Sequence, residues 1–227
     1  MNNKKISVIM STYNNENTLE NSIKSILNQS YENLEFLITD DCSTDDSLNI
    51  LNKFKNKDDR VKIIKNKENI GLTKSLNNMI RISEGDFIAR QDADDISLPH
   101  RLETQIKMLN SSNAQISTSR AFKADTKVKI PGFTFYIPYK YLIFFKNPFI
   151  HGTLLIDSLL MKKYSYDENY YFAQDYELFS RIIRDKKNII NINEVLYILN
   201  TKNNISENFT KEQKSYANTV RKNLRKF

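Results

Sequence analysis

Apolar runs of strand length alternate with segments of helical periodicity through the first hundred residues, and this pattern demands a parallel sheet covered by helices. Ile6 to Met10 is a short buried-strand run, and Leu19, Ile23, Ile26 and Leu27 then recur at helical spacing. Leu34 to Thr39 predicts a second strand that stops at two aspartates. Ser43 is expected to cap the next helix, with Asp45 and Asp46 in its first turn and Ile50, Leu51 and Phe54 on its core face. Val61 to Ile64 gives a third strand. Leu72, Leu76, Met79 and Ile80 mark a third helix ending near Gly85, and Phe87 to Ala89 is a fourth strand running into acidic residues.

Beyond that point the pattern is less regular. A helix near Pro99 carries Leu102, Ile106 and Leu109, and Ile116 to Ser119 reads as a strand. Pro131, Gly132, Pro138 and Pro148 break any long element over residues 121–150. Thr153 to Ile156 is a strand, and a helix carrying Leu178, Phe179, Ile182 and Ile183 begins around Asp175. Ile189, Ile190 and Ile192 form a last strand, and a basic helical tail starts near Thr210. With 227 residues, 40% of them hydrophobic, and no repeat or flexible linker, one domain is expected.

The net charge of +7 suits polyanions (nucleic acid, a diphosphate or an anionic membrane face) and fits a plain solvated basic surface equally well. No nucleic-acid recognition motif accompanies it. The one cysteine, Cys42, allows neither an internal disulfide nor a multi-cysteine zinc site, and suits a reducing cytoplasm. Neither a signal-peptide plan nor an apolar run long enough to span a bilayer is visible, so contact with lipids is expected only from the surface. In the tail, Tyr216, Val220, Leu224 and Phe227 lie near helical spacing among Lys and Arg. That pattern fits an interfacial membrane helix, an oligomer contact or a frayed end.

In open α/β sheets, ligands bind beyond the carboxyl ends of the strands. Ser11, Thr12, Tyr13 and Asn14 follow the first strand, Asp40 and Asp41 the second, and Asp92, Ala93, Asp94 and Asp95 the fourth. With only four glycines (Gly71, Gly85, Gly132 and Gly152), neither a G-x-G-x-x-G turn nor a P-loop can be written. A bound diphosphate would need another neutralising group. Asp92-Ala93-Asp94 suits a hard divalent cation such as Mg²⁺ or Mn²⁺, which bridges protein carboxylates to phosphates. A solvated acidic turn is the competing reading.

The opening SVIMSTYNNENTLENSIKSILNQSYENLEFLITDDCSTDDSL resembles that of the family 2 glycosyltransferases. GDFIARQDADDISLPHRLETQ is similar to their D-x-D segment with its trailing Pro-x-Arg-Leu. NIGLTKSLN, FIHGTLLI and AQDYELFSRI match further blocks in order. The resemblance covers about residues 5–200. It implies a GT-A (Rossmann-like) α/β fold with a mostly parallel central sheet flanked by helices, and a C-terminal helical tail. It also implies a domain at 1–205, with a nucleotide-sugar-binding half at 1–110 and an acceptor half at 111–205, followed by a basic tail at 206–227.

Carried over position by position, Tyr13 lines the nucleobase, with Ser11, Thr12 and Asn14 beside it at the strand end. Asp41 accepts from a uracil imide N–H. Asp94 is the metal ligand, and Asp92 contacts the ribose or the metal's water shell, with Ala93 between them. Lys74 either neutralises phosphate or stands solvated on its helix. Asp175 is the catalytic base toward an acceptor hydroxyl, or a plain helix cap. His151, Gln174 and Glu177 are candidates to line the site.

Two positions depart from the family pattern: Gln174 stands where many relatives carry an acid, and YILNTKNNIS lacks the usual Arg and His. The expected protein is an inverting, metal-dependent enzyme using a UDP-sugar and Mn²⁺ or Mg²⁺. It would act on a glycan or glycolipid acceptor in surface-glycan assembly, from the cytoplasm or the inner membrane face. A non-catalytic nucleotide-sugar-binding protein of the same fold is the alternative.

Overall fold

The computed structural model describes residues 4–201 and 210–226. The first half of the chain is built from β1 (Ile6–Thr12), α1 (Leu19–Leu27), β2 (Leu34–Asp40), α2 (Ser47–Lys55), β3 (Val61–Lys65), α3 (Leu72–Ile82) and β4 (Phe87–Arg90). There follow β5 (Ile96–Ser97), α4 (Arg101–Asn110), β6 (Ile116–Lys123), β7 (Lys129–Ile130), α5 (Tyr139–Leu142), β8 (Leu155–Asp157), α6 (Ser158–Tyr164), α7 (Gln174–Arg184), β9 (Ile189–Leu199) and α8 (Thr210–Leu224).

The sheet runs β3-β2-β1-β4-β8-β6-β9-β5, with β7 on β6. Its first four strands are parallel, as the sequence predicts. Beyond β4 the sheet is mixed: β8 runs antiparallel to both β4 and β6, whereas β6 and β9 are parallel.

Strand alternation divides the core between the two faces. Ile6, Val8 and Met10 of β1 pack with Ile23 and Ile26 of α1, with Leu51 of α2, and with Leu102 and Ile106 of α4. Ile9 points the other way, into a cluster with Leu76 and Met79 of α3, Met161 of α6, and Leu178 and Phe179 of α7. Val220 and Leu224 of α8 are buried in that second cluster, so this helix belongs to the core. Tyr216 packs against Tyr170 and Phe172. Tyr216, Val220 and Leu224 therefore face inward and are not available to a membrane. Phe227 and the expected boundary at 205/206 lie outside the described residues.

Two local expectations are corrected. The second helix starts at Ser47 rather than after Ser43, because the Asp45 carboxylate accepts from Ser47 N and from Glu16 N and so holds a turn there. The strand expected from Thr153 begins at Leu155, since His151–Thr153 forms a short 3-10 turn. Among the described residues, no helix is long and apolar enough to cross a membrane.

Candidate active site

β2, β1 and β4 are adjacent and parallel, so their carboxyl ends share one edge. The chain leaves β1 toward β2 and β3, while β4 lies on its other side. That reversal opens a crevice between the ends of β1 and β4, where α/β sheets bind ligands. Ser11 and Thr12 close β1, and Tyr13 stands exposed just beyond.

The loops around this edge are tied together. Asn15 Oδ1 accepts from Thr12 Oγ1 (3.0 Å) and Tyr13 N (3.1 Å). Asn14 Oδ1 accepts from Thr44 N at 2.8 Å, and Asn14 N donates to Ser43 Oγ at 3.1 Å. Asn14, in a left-handed conformation (φ 54°), thus uses its side-chain oxygen to join two strand ends. Asp41 is buried and fastens the entrance to α3. Its Oδ1 accepts from Asn66 Nδ2 (2.7 Å) and Ile70 N (2.9 Å), and its Oδ2 accepts from Gly71 N (2.8 Å). A carboxylate oxygen has two lone pairs, so Oδ2 retains capacity for one further donor. Lys74 is exposed in the first turn of α3.

The acidic loop after β4 is held by its backbone. Ser22 Oγ donates to Asp92 O (2.7 Å), Thr18 Oγ1 to Ala93 O (3.2 Å), and Gln91 Nε2 to Asp95 O (3.0 Å). Ala93 turns its methyl into the core beside α1, so its part is to anchor the loop and not to touch a nucleotide through its side chain. Asp92 pairs through Oδ1 with the buried Arg90 guanidinium. Burial, and then the charge of Asp92, push the Asp94 carboxyl up to about 6. Among the described residues, no Lys, Arg or His makes a salt bridge to Asp94. Asp95 is fully buried, accepts from Asn200 N at 2.6 Å, and is shifted well upward by that burial. Its role is to tie β9 to the loop.

Arg101 supports this loop from beneath. Its guanidinium donates to Arg90 O (2.7 Å) and Ser97 Oγ (2.7 Å) and stacks on Tyr197. Burial without a paired carboxylate lowers its pKa to about 10. Tyr197 Oη accepts from Asp92 N at 3.2 Å, and a Cβ added at Gly152 would collide with the Tyr197 ring.

Asp175 lies in the first turn of α7, two residues past Ala173, whose left-handed φ of 54° starts the helix. It is therefore not the cap. Its Oδ1 accepts from Tyr176 N (2.8 Å) and its Oδ2 from Asn147 Nδ2 (2.7 Å). His151 Nε2 meets Tyr166 Oη at 2.6 Å. Burial, and then Arg90, lower the His151 pKa, while Asp175 and Asp92 act against that shift. Burial raises the Tyr166 phenol, which also feels Arg90, Asp175 and Asp92. One histidine–tyrosine pair therefore lies in the field of both the acid after β4 and the acid on α7. Asn77 secures it by exchanging 2.9 Å hydrogen bonds with the Tyr166 backbone across 89 residues of chain.

Gln174 opens α7 and is half-buried. Glu177 is a correction: both its oxygens pair with Arg181 (2.6 and 2.7 Å), which also donates to Tyr164 O and Ser165 O. Glu177 thus locks α7 to the loop after α6 instead of lining the site. Sequence reasoning missed Tyr166, Asn147 and Tyr197. Only Asn147, just before the Pro148–Phe149 step, stood next to a matched block.

A half-parallel, half-mixed sheet with an acid-bearing loop at its switch point has the plan of a GT-A fold. Residues 7–169 match the description Glycosyl transferase family 2, and the chain belongs to that family. It is 36% identical over 199 residues to EpsE of Bacillus subtilis, a protein named as a glycosyltransferase, covering 85% of this chain and 72% of that protein. It is 33% identical over 191 residues to WfgD of Escherichia coli, named as a UDP-Glc:α-D-GlcNAc-diphosphoundecaprenol β-1,3-glucosyltransferase, covering 83% and 73%. A crystal structure of Staphylococcus aureus TarS 1–349 with UDP superposes with a TM-score of 0.76 at 21% identity, covering 95% of this chain and 65% of that one. At that identity the likeness establishes the fold.

Proposed function

We propose that this protein transfers a sugar from a UDP-sugar to a hydroxyl of a glycan or glycolipid, with inversion, during assembly of a surface glycan at the cytoplasmic face of a membrane. The observation that carries the reading is the edge shared by the carboxyl ends of β1, β2 and β4, from which Tyr13, Asp41 and the Asp92–Asp94 loop follow directly.

Donor binding falls to the first 110 residues and the acceptor to residues 111–205. The nucleobase would lie by Tyr13, with Asp41 Oδ2 accepting from the uracil imide N–H; Ser11 and Thr12 shape the strand end. A divalent cation, Mn²⁺ or Mg²⁺, suits Asp94, a partly buried carboxylate that no salt bridge among the described residues neutralises. Asp92 keeps one oxygen outside its pair with Arg90 for the ribose or a metal-bound water. Among the described residues, no cluster of three ligating side chains surrounds the position, so phosphate and water would complete the shell. When bound, the cation supplies Lewis-acid stabilisation of the departing diphosphate.

Asp175, oriented by Asn147, accepts the acceptor's hydroxyl proton. The freed oxygen forms a bond to the anomeric carbon as the carbon–oxygen bond to UDP breaks on the opposite face. One base and one displacement give inversion. The test is UDP release across a panel of UDP-sugars and acceptors, with and without EDTA. Metal-dependent release that requires an acceptor is expected. Full turnover in EDTA removes Asp94 from its role. Donor affinity with no transfer to any acceptor favours a binding-only protein.

A further inference from the structure

Between Asp125 and Asp157 the chain contains no acidic residue, while Lys127, Lys129, Lys140 and Lys146 punctuate an aromatic-rich run. The fold buries only one side of it. Leu142, Ile143 and Phe149 enter the core, and Tyr139 stacks on Phe149. Phe133, Tyr136, Tyr141 and Phe145 remain 66–82% exposed, with Lys140 and Lys146 exposed among them. Large rings left in water beside cations are unfavourable for a free surface, and mark an interaction site.

The neighbouring helix continues the charge. Arg221 of α8 donates through Nη1 to Phe145 O at 3.3 Å, fixing which side of α8 meets the aromatic segment. At 3.6 residues per turn, Lys214, Arg221 and Arg225 fall within about 20° of one line along that helix and its last turn. Val220 and Leu224 face the core. The rings and this basic stripe are thus contiguous, and two residues past Phe145 the same segment supplies Asn147, which holds Asp175.

We infer that residues 133–146 together with the Lys214–Arg221–Arg225 stripe dock on an anionic lipid surface. The rings would sit at headgroup depth, where amphipathic aromatics are favoured, and the cations would meet anionic lipids. Charge complementarity selects this occupant. A second copy of the chain would bring the same unbalanced positive segment against itself. If the proposed function holds, the surface presents a lipid-linked acceptor beside Asp175; the docking itself stands independently of sugar transfer.

The test is co-sedimentation with phosphatidylcholine vesicles, with and without phosphatidylglycerol, read without donor or turnover so that failure of the catalytic reading leaves it intact. Wild-type protein should partition onto the phosphatidylglycerol vesicles and much less onto the neutral ones. The Phe133→Ser/Tyr141→Ser/Phe145→Ser triple variant and the Lys140→Glu/Lys146→Glu double variant should each lose roughly tenfold or more in partitioning. Both should keep the wild-type melting temperature and full turnover of a water-soluble acceptor. Lys53→Glu/Lys57→Glu, which alters exposed lysines on and beside α2, should bind like wild type. Equal loss in that control would reduce the effect to net charge and overturn the proposal. So would undiminished vesicle binding by the triple variant, or a dimer that the triple variant dissolves while vesicle binding persists.

Discussion

The half of the sheet from β1 to β4, proposed to bind the donor, and the half beyond it, proposed to bind the acceptor, solve the same packing problem differently. From β1 to β4 the strands are parallel and mostly buried on both faces, and short tied loops carry Tyr13, Asp41 and Asp94. Beyond β4 the sheet is mixed, and the site residues are placed by long-range clamps: Asn77 on Tyr166, Asn147 on Asp175, Tyr197 over Gly152. A regular sheet edge places charge through backbone geometry. An irregular half must place it through side chains. The donor half should therefore fail by losing ligand, and the acceptor half by losing alignment.

The largest contrast is expected at Asp94. Asp94→Asn should lower metal-dependent turnover about a thousandfold, the scale of losing a Lewis acid's stabilisation. The same change should stabilise the metal-free protein. Asp94 carries a folded pKa raised to about 6 from 3.8, so native stability is relatively lost as pH climbs through that window. Melting in EDTA at pH 7.5 should rise by a few degrees in the variant, and the gain should shrink as pH is lowered toward 4. A variant that melts below wild type in EDTA would show that Asp94 is a structural acid.

Asn147→Ala sharpens the acceptor side. With the base still present but unheld, kcat should fall about tenfold while the donor's KM stays unchanged, because only orientation is lost. A rise in donor KM would place Asn147 in the donor pocket. The smallest catalytic effect is expected at Glu177, whose pair with Arg181 is structural. Glu177→Ala should cost about 2 kcal/mol of stability and leave turnover of folded protein unchanged, as calorimetry and initial rates would report.

The difference between the halves also explains what the sequence reveals. The mostly apolar runs at Ile6–Met10 and Leu34–Thr39, interrupted by Ser7 and Glu35, are legible because each lies buried on both faces, and the acids after them inherit their position from the strand ends. Asp94 and Asp175 can be nominated because they sit in recognisable blocks. Tyr166 cannot, since its place depends on Asn77, distant in sequence, and nothing local distinguishes it from other tyrosines. Ser43 and Glu177 mislead for a related reason: each is a chemically suitable residue whose partners, Asn14 and Arg181, are decided by loop packing. The apolar positions of α8 carry true helical periodicity, but periodicity cannot say whether a stripe meets a core or a bilayer.

The division of labour is tested most directly by measuring UDP affinity and sugar transfer on one preparation of Asp175→Asn. The amide keeps the side chain's shape and one acceptor oxygen but cannot take up the proton. UDP should bind within about twofold of wild type while transfer falls by about 10²–10⁴-fold, the usual contribution of a general base. Transfer at the wild-type rate, or a loss of UDP affinity as large as the loss of transfer, would contradict it.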